Sequence, residues 1–367
     1  MRYSNDDRIV MTLDAGGTNF VFSAMQAEKE IIDPIRISAR GEKLEQVLKN
    51  MIDGFAEVKS LLKDQALAIS FAFPGPADYE NGIIGNLQNL PLFRGGVALK
   101  AMLENEFKIP AFINNDGDLF AYGEAIAGLL PRVNKLLLES GVEKQYRNLL
   151  GLTFGTGFGG GIVQDGSLFS GDNSAGGEIN RMRNFLYPDT SVEDSVSIRG
   201  IKRVFAEEAG VDLELVPEPR EIYEMAKGNL LGDQHAAIKA FKEFAVVAAD
   251  AIADAITMID GIVVIGGGLA GAHQVFLGKL VEELNKDLTT LDNKPLSRLE
   301  ISAYNIEDPE GLQSFLKDTS YPVRVPFSDQ RVSFDPVKKI GVGVSELGTS
   351  KAVAIGAYTF ALDQLNS

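Results

Sequence analysis

The chain has 367 residues, and at roughly 150 residues per domain this length predicts about two domains and excludes a single small binding module. Hydrophobic residues make up 45% and charged residues 23% of the chain, which excludes wholesale disorder and fibrous repeats. The 51 acidic against 35 basic residues give a formal net charge of -16, which argues against nucleic acid and anionic lipid surfaces as partners.

Cysteine is absent and only two histidines occur, which excludes disulfides, thiolate nucleophiles and zinc sites built on sulfur. The first residues show no signal-peptide pattern, and no uninterrupted apolar stretch approaches the roughly 18 residues of a membrane span. We therefore expect a cytoplasmic protein without a membrane partner.

The first predicted elements are two short strands, residues 8–13 and 20–25, joined as a hairpin by a glycine turn. Apolar residues at helical spacing predict an amphipathic helix over residues 43–63. A nearly continuous apolar run over residues 67–73, stopped by a Pro-Gly-Pro turn, predicts a buried strand. Strand and helix therefore begin to alternate.

The alternation continues with a strand over 111–113, a helix from about Leu119, and strands over 148–153 and 161–164. This pattern predicts a mixed sheet covered by helices. The order of strand, glycine turn and strand near the start is repeated around residue 155, which suggests an internal duplication. The later elements are a helix over 236–259, a strand over 261–265, a glycine turn and a helix over 272–286; residues 289–343 show only weak periodicity.

The first glycine turn is the first candidate phosphate site. Backbone N–H groups of glycines can approach a phosphate closely, and neighbouring hydroxyl and amide groups add donors. The residues in question are Asp14, Gly16, Gly17, Thr18 and Asn19. The carboxylate of Asp14 could hold hydrated Mg²⁺, whereas the alternative is a tight hairpin with a capping aspartate.

Two further glycine turns are candidates for nucleotide binding. Residues 153–161 contain five glycines, and Gly155, Thr156 and Gly157 form the part that we expect to contact phosphates. Gly267 and Gly268 follow the strand over 262–265 and could admit a base or ribose against the backbone. The alternative in both places is a turn that serves only the fold.

Asn115 and Asp116 follow a short strand and offer an amide and a carboxylate for binding a polyol and removing a proton from one hydroxyl. Taken alone, the sequence Asn-Asn-Asp-Gly-Asp is an ordinary turn. Glu178 adds an acid beside small residues, with a capping role as the alternative. His235 and His273 are isolated in sequence, and we assign them no role.

Together these segments resemble the ROK family of sugar kinases and sugar-responsive repressors, within the actin and hexokinase-like ATPase superfamily. The resemblance covers nearly the whole chain and rests on six segments in the family's order: DAGGTNF, FPGPADYENGIIGNLQNLP, NNDGD, LTFGTGFGGGIV, GGEI and VVIGGGLA.

The resemblance implies an α/β fold of two duplicated actin-like ATPase (ribonuclease H-like) domains with a cleft between them. We expect one domain over residues 1–117, completed by a C-terminal helix over 350–367, and the other over 118–349. The implied reaction is ATP-dependent phosphorylation of a sugar hydroxyl. The resemblance also implies that Asp116 is the general base and that Mg²⁺ binds near Asp14 through water. The sugar contacts that we expect are Asn89, Asn115, Glu178 and Arg181. A homo-oligomer, a dimer by resemblance, is also expected.

The chain departs from the family pattern around the sugar. Asn180 and Arg181 stand where the family has Gly-His, and the cysteine-rich zinc loop is missing, so we expect no zinc. Asn114 and Asp118 replace the usual Glu and Asn of the catalytic segment. These departures leave a hexose and an N-acetylhexosamine both open as the substrate.

Two other functions compete with the kinase. A DNA-binding repressor is disfavoured, because about seven residues precede the first strand and the chain is strongly acidic. The remaining alternative is a catalytically silent, sugar-sensing or regulatory ROK protein without a DNA-binding domain.

Overall fold

The computed structural model describes residues 2–15, 19–63, 65–75, 77–85 and 91–367. It is an α/β structure in which mixed sheets are covered by helices, as predicted. Each helix within these ranges is too short or too polar to cross a membrane.

The strands are β1 (Ile9–Ala15), β2 (Asn19–Gln26), β3 (Lys29–Glu30), β4 (Ile35–Ser38), β5 (Ala66–Ala72), β6 (Ala77–Asp78), β7 (Ile83–Ile84), β8 (Val97–Ala98), β9 (Ala111–Asn114), β10 (Leu149–Phe154), β11 (Phe158–Gln164), β12 (Ser167–Phe169), β13 (Ile262–Gly266), β14 (Asp287–Thr289), β15 (Pro295–Ser297), β16 (Ser302–Asn305), β17 (Tyr321–Arg324), β18 (Arg331–Phe334) and β19 (Lys339–Val344). The helices are α1 (Leu44–Leu61), α2 (Leu99–Phe107), α3 (Asp116–Ala127), α4 (Leu129–Glu139), α5 (Ile198–Ala209), α6 (Pro219–Ala226), α7 (Gln234–Ile259), α8 (His273–Leu284), α9 (Pro309–Leu316) and α10 (Thr349–Asn366).

The first sheet has the strand order β3-β2-β1-β5-β9, with β4 also paired to β2. Strands β1 and β2 form the predicted antiparallel hairpin, whereas β1, β5 and β9 are parallel. In register, Asp14 lies opposite Ala72, which in turn lies opposite Asn114. The carboxyl ends of these three strands therefore meet at one edge.

A phenylalanine cluster holds this sheet against its helices. Phe55 of α1 is fully buried, and its ring centroid lies 5.0 Å from that of Phe22, 5.9 Å from Phe71 and 6.0 Å from Phe107. The buried positions of α1 recur at intervals of three and four residues, which is the periodicity that predicted the helix.

The second sheet has the order β12-β11-β10-β13-β19-β16, in which β10, β13, β19 and β16 are parallel. An aromatic cluster packs behind its central strands: the ring centroid of Phe154 lies 5.3 Å from Phe158, 5.1 Å from Phe244 and 6.0 Å from Phe276. Residues 289–343, whose periodicity is weak, nevertheless contain a helix and several strands. The four strands of the hairpins β14–β15 and β17–β18 are exposed throughout, which removes the one-sided burial pattern that sequence reasoning needs.

Contacts divide the chain into two compact units, residues 1–128, 160–177 and 347–367 in one and 129–159 and 178–346 in the other. The boundary that we predict at residue 117 falls inside α3 instead. The physical reason is that α3 continues to Ala127 and packs along α10, which keeps the whole helix in the first unit. Helix α3 also begins at Asp116 rather than near Leu119.

The packing of α3 on α10 depends on two glycines, one in each helix, and each of them faces the backbone of the other helix. A Cβ added to Gly123 would collide with the carbonyl oxygen of Ala352, and one added to Gly356 would collide with that of Leu119. The two helices therefore approach more closely than any larger residue at these positions would allow.

Gly356→Ala should lower the free energy of unfolding, because overpacking costs about 1–3 kcal/mol and outweighs the roughly 1 kcal/mol that alanine gains in helix propensity. The matched control is Gly278→Ala in α8, where an added Cβ meets nothing within 4 Å and the propensity gain should appear alone. Urea unfolding of both variants measures the difference. A gain in the free energy of unfolding for Gly356→Ala as large as that for Gly278→Ala would show that this crossing tolerates a methyl group.

Candidate active site

The carboxyl edge of the first sheet carries two acidic residues on neighbouring segments. Asp14 is exposed near the end of β1, and Asp116 begins α3 directly after β9. In parallel α/β sheets, ligands bind outside the carboxyl ends of the strands, so these carboxylates lie where substrate chemistry is expected. The negative charge of Asp14 contributes to raising the pKa of the Asp116 carboxyl.

The predicted Asn-Asn-Asp-Gly-Asp turn is the start of a helix. The side-chain Oδ1 of Asn115 accepts a hydrogen bond from the backbone N–H of Gly117 at 2.7 Å, which caps α3. Asp116 Oδ1 accepts from the same N–H group at 3.0 Å. The helix cap therefore fixes the carboxylate of Asp116 at the first helical position.

The protein raises the pKa of the Asp116 carboxyl above its ordinary value. The largest cause is desolvation, followed by the opposing backbone hydrogen bonds of Gly117 and of Asp116 itself, and then by the charge of Asp14. The side chain still exposes surface to solvent. Asp116 is thus reachable by a substrate while lying among enough protein atoms to lose hydration.

Tyr79 positions Asn115 and was not identified from the sequence. Its buried hydroxyl donates to the carbonyl oxygen of Phe73 at 2.9 Å and accepts from Asn115 Nδ2 at 3.3 Å. A Cβ on Gly75 would lie 2.6 Å from the same hydroxyl, so this turn needs a small residue. The one signal in the sequence is that Tyr79 is a lone aromatic residue in a segment rich in turn residues.

The second glycine turn serves two different purposes. A Cβ on Gly117 would lie 2.5 Å from the carbonyl oxygen of Gly160, and one on Gly161 would collide with the backbone of Gly117. Gly161 of this turn and Gly117 of α3 therefore let β11 approach the first turn of the helix. In the predicted phosphate segment, the N–H of Gly155 donates to the carbonyl oxygen of Gly157 at 3.0 Å, and the Cβ position of Gly155 has open space around it.

Helix α5 begins beside this turn. The N–H of Ile198, the first residue of α5, donates to the carbonyl oxygen of Gly155 at 2.9 Å. Thr156, between the two glycines, is exposed. The tip of the turn is therefore open while its base is fixed.

Glu193 is a second residue that sequence reasoning missed. Its Oε2 accepts the N–H of Phe158 at 3.0 Å and lies 2.6 Å from where a Cβ of Gly157 would be. Its Oε1 pairs with Arg199 at 3.1 Å. Because these partners are distant in sequence, no local pattern indicates that this carboxylate supports the glycine turn.

The third glycine turn, after β13, lies at the same edge of the second sheet as the end of β10, since Thr153 is opposite Gly266. Gly267 has φ +85°, and a Cβ there would collide with the backbone of Phe154. Gly268, by contrast, has open space where its Cβ would be. Gly267 is thus fixed by the fold, whereas Gly268 leaves room for a ligand.

The segment around Glu178 forms a short 3₁₀ helix over Ile179–Arg181. Glu178 is half-buried, Arg181 is exposed, and the Oδ1 atom of Asn180 is buried without a hydrogen bond to any described residue. Within the part of the chain that the structure describes, the side chains of Arg181 and Glu178 form no ion pair with each other.

Four of the predicted site residues, Gly16, Gly17, Thr18 and Asn89, lie outside the described residues. Asn19 begins β2 and is exposed. Of the histidines, His235 faces Glu208 at 3.1 Å, and His273 Nδ1 lies 3.1 Å from the carbonyl oxygen of Ala270. The residues in the described ranges form no group of three or more side chains suited to hold a metal ion.

The sequence profile of the ROK family matches residues 10–313, and the chain belongs to this family. A glucokinase from Parabacteroides distasonis of known crystal structure is 50% identical, with a TM-score of 0.90 and 99% of both chains covered. The ROK glucokinase of Streptomyces griseus, solved with glucose and AMPPNP, is 16% identical with a TM-score of 0.58, covering 96% of this chain and 98% of that one. The predicted family and the predicted actin-like ATPase fold are both confirmed.

An N-acetyl-D-glucosamine kinase of Vibrio cholerae is 29% identical over 170 residues, which is 46% of this chain. The chain spans about half, 51%, of the length of that relative.

Gly267→Ala should weaken binding of ATP, because alanine costs about 1–3 kcal/mol at a positive φ and would displace the turn. Gly210→Ala is the matched control, because Gly210 also has a positive φ, +64°, but follows the end of α5 and has nothing within 4 Å of its Cβ position. Calorimetric titration with AMPPNP measures the affinity, and urea unfolding checks the fold. Equal affinities for the wild type and Gly267→Ala would show that this turn does not contact the nucleotide.

Proposed function

We propose that this protein is an ATP-dependent sugar kinase that phosphorylates a hydroxyl of a hexose or an N-acetylhexosamine, with Asp116 as general base. The observation that carries the proposal is the carboxylate of Asp116, fixed at the start of α3 beside Asp14 and with a raised pKa. Family membership and the names of the relatives support a kinase over a catalytically silent sensor.

In the proposed reaction, Asp116 accepts the proton of one sugar hydroxyl while that oxygen attacks the γ-phosphorus of ATP. The bond between the γ-phosphorus and its bridging oxygen breaks, and ADP leaves with the electron pair. A raised pKa makes the carboxylate a stronger base, and a base is most effective when its pKa approaches the working pH. Asn115 and Glu178 would bind the other sugar hydroxyls, as would Asn89 and Arg181.

The phosphates of ATP would contact the glycine turns, which offer backbone N–H groups without obstructing side chains. Two structural features support this assignment: the exposed tip at Thr156 with open space beside Gly155, and the open space beside Gly268. The support of Glu193 for the first of these turns would keep its donors in place before the nucleotide arrives.

Asp14 fits the requirement for Mg²⁺, which usually takes one or two carboxylates and keeps its remaining ligands from water and phosphate oxygens. It is an exposed carboxylate at the carboxyl edge of the sheet, and it would hold the ion through water. When bound, Mg²⁺ would neutralise charge on the transferring phosphoryl group. A cytoplasmic location stays a prediction.

The direct test is ATP consumption measured across a panel of hexoses and N-acetylhexosamines. A kinase should consume ATP strongly with at least one sugar and release a sugar phosphate in equal amount. Binding of a sugar without any ATP consumption would favour the silent sensor instead.

Asp116→Asn should lower turnover by roughly 10²–10⁴-fold with little change in sugar affinity, because it keeps the shape of the side chain and removes the base. The wild-type rate should fall as the pH drops through the raised pKa of Asp116. The raised pKa also means that the ionised carboxylate opposes folding above that pH, so the variant should be at least as stable as the wild type at pH 7. Near-normal turnover would remove Asp116 from this role.

Strong chelation should abolish activity, and Mg²⁺ added alone should restore it, because the nucleotide phosphates need a bridging hard cation. The purified protein should contain no stoichiometric zinc, since the chain lacks cysteine. Elemental analysis and activity after metal replacement measure both expectations. Activity restored only by zinc would contradict this account of the metal.

Arg181→Ala distinguishes two roles of the exposed guanidinium. If Arg181 contacts the sugar, the variant should change the ranking of the sugars in the panel rather than lower every rate equally. An unchanged ranking would assign Arg181 to the solvent-exposed surface. Arg183→Ala is a suitable control, because Arg183 is also exposed and lies two residues away.

A further inference from the structure

Arg199, the second residue of α5, lies beside the second glycine turn and contacts two acidic side chains. Its Nη2 atom is 3.1 Å from Oε1 of Glu193 and 3.1 Å from Oδ1 of Asp194. The preceding residue, Ile198, donates its N–H to the carbonyl oxygen of Gly155, which fixes the start of α5 at the base of the turn. The side chain of Arg199 is 56% exposed, and exposed ion pairs contribute little to the stability of a fold.

Glu193 connects Arg199 to the glycine turn. One of its carboxylate oxygens, Oε2, accepts the backbone N–H of Phe158 and lies 2.6 Å from the Cβ position of Gly157. The other oxygen, Oε1, contacts Arg199. A single carboxylate therefore separates the guanidinium group from the backbone of the turn.

The two acids create an electrostatic difficulty for this turn. The proposed function requires the turn to bind the negatively charged phosphates of ATP, yet a carboxylate accepts a hydrogen bond from its backbone. The charges of Glu193, Asp194 and Arg199 sum to -1, and without Arg199 they would sum to -2. Because Glu193 is only 25% exposed, water screens its charge incompletely, and its repulsion of a phosphate is stronger than in bulk solvent.

We propose that Arg199 is a positioning residue for the nucleotide: it neutralises Glu193 and holds it against the second glycine turn. The inference rests on the proposed function, because it requires that the turn binds the phosphates of ATP. Arg199 keeps Glu193 in place to accept the N–H of Phe158 and offsets the negative charge that this carboxylate brings to the turn. The acid thus orients the turn with little loss of affinity for an anion.

Arg199→Met should weaken the binding of AMPPNP by roughly tenfold, because it leaves two uncompensated carboxylates beside the turn. Calorimetric titration of the full chain with AMPPNP in the presence of Mg²⁺ measures the affinity. Arg199→Lys should restore most of it, since one nitrogen of Arg199 contacts both acids and an ammonium group can take its place. Urea unfolding should give nearly equal stability for the wild type and both variants.

Arg203→Met is the matched control. Arg203 lies one turn further along α5 and also contacts two carboxylates, that of Glu207 at 3.1 Å and that of Glu243 at 2.7 Å. The control therefore removes the same charge from the same helix and leaves the contacts of Arg199 intact. Its affinity for AMPPNP should stay within about twofold of that of the wild type.

Two further measurements distinguish an effect of charge from a loss of shape. Raising the salt concentration should reduce the difference in affinity between Arg199→Met and the wild type, because dissolved ions screen the repulsion. Adding Asp194→Asn to the Arg199→Met protein should recover part of the affinity, because it removes one of the two uncompensated charges.

A wild type that does not bind AMPPNP would contradict the proposed function, and this inference with it. If the wild type binds, an unchanged affinity in Arg199→Met, or an equal loss in Arg203→Met, would overturn the role of Arg199 alone. A loss of affinity that neither Arg199→Lys nor the added Asp194→Asn recovers would also overturn that role.

Discussion

The parallel register of β1, β5 and β9 is the constraint on which the candidate active site depends. It brings Asp14 and Asn114 level with Ala72, so that the chain beyond β9 turns into α3 beside the end of β1. A slip of one residue would move the buried side chains of a strand to the opposite face. The phenylalanine cluster around Phe55 opposes such a slip, which makes the geometry of the carboxylates a consequence of core packing.

The second sheet also has parallel strands that end at one edge, but there the register brings together backbone turns rather than carboxylates. Because β10 and β13 end together, the turns after them come into contact, and Gly267 must be glycine for the backbone of Phe154 to fit. Polar groups from later in the chain, such as Glu193 and the start of α5, then fix the turn. These turns therefore contain two kinds of glycine. At some, such as Gly267, other atoms of the protein fill the position that a Cβ would take, whereas others, such as Gly268, leave that space open for a ligand.

Local patterns allowed the hairpin β1–β2, the helix α1 and the strand β5 to be predicted, because each buries one face or both and therefore shows a period in its sequence. The start of α3 was misplaced because Asn-Asn-Asp-Gly-Asp contains the residues of both a turn and a helix cap, and only the hydrogen bond from Gly117 to Asn115 decides between them. Tyr79 and Glu193 act through partners distant in sequence, so no spacing could identify them. The hairpin β17–β18 was not predicted, because its two strands are exposed at every residue and show no burial of one face.

Asp116 shows two opposing influences at one residue. The first position of a helix stabilises a negative charge through the helix dipole and through the N–H of Gly117. Desolvation and the charge of Asp14 act against that stabilisation, and together they raise the pKa. A carboxylate held in place by the helix end, yet deprived of part of its hydration, is both well positioned and more basic than one in water. The same desolvation makes the ionised residue unfavourable for folding, so the surrounding fold must hold it there against a cost in stability.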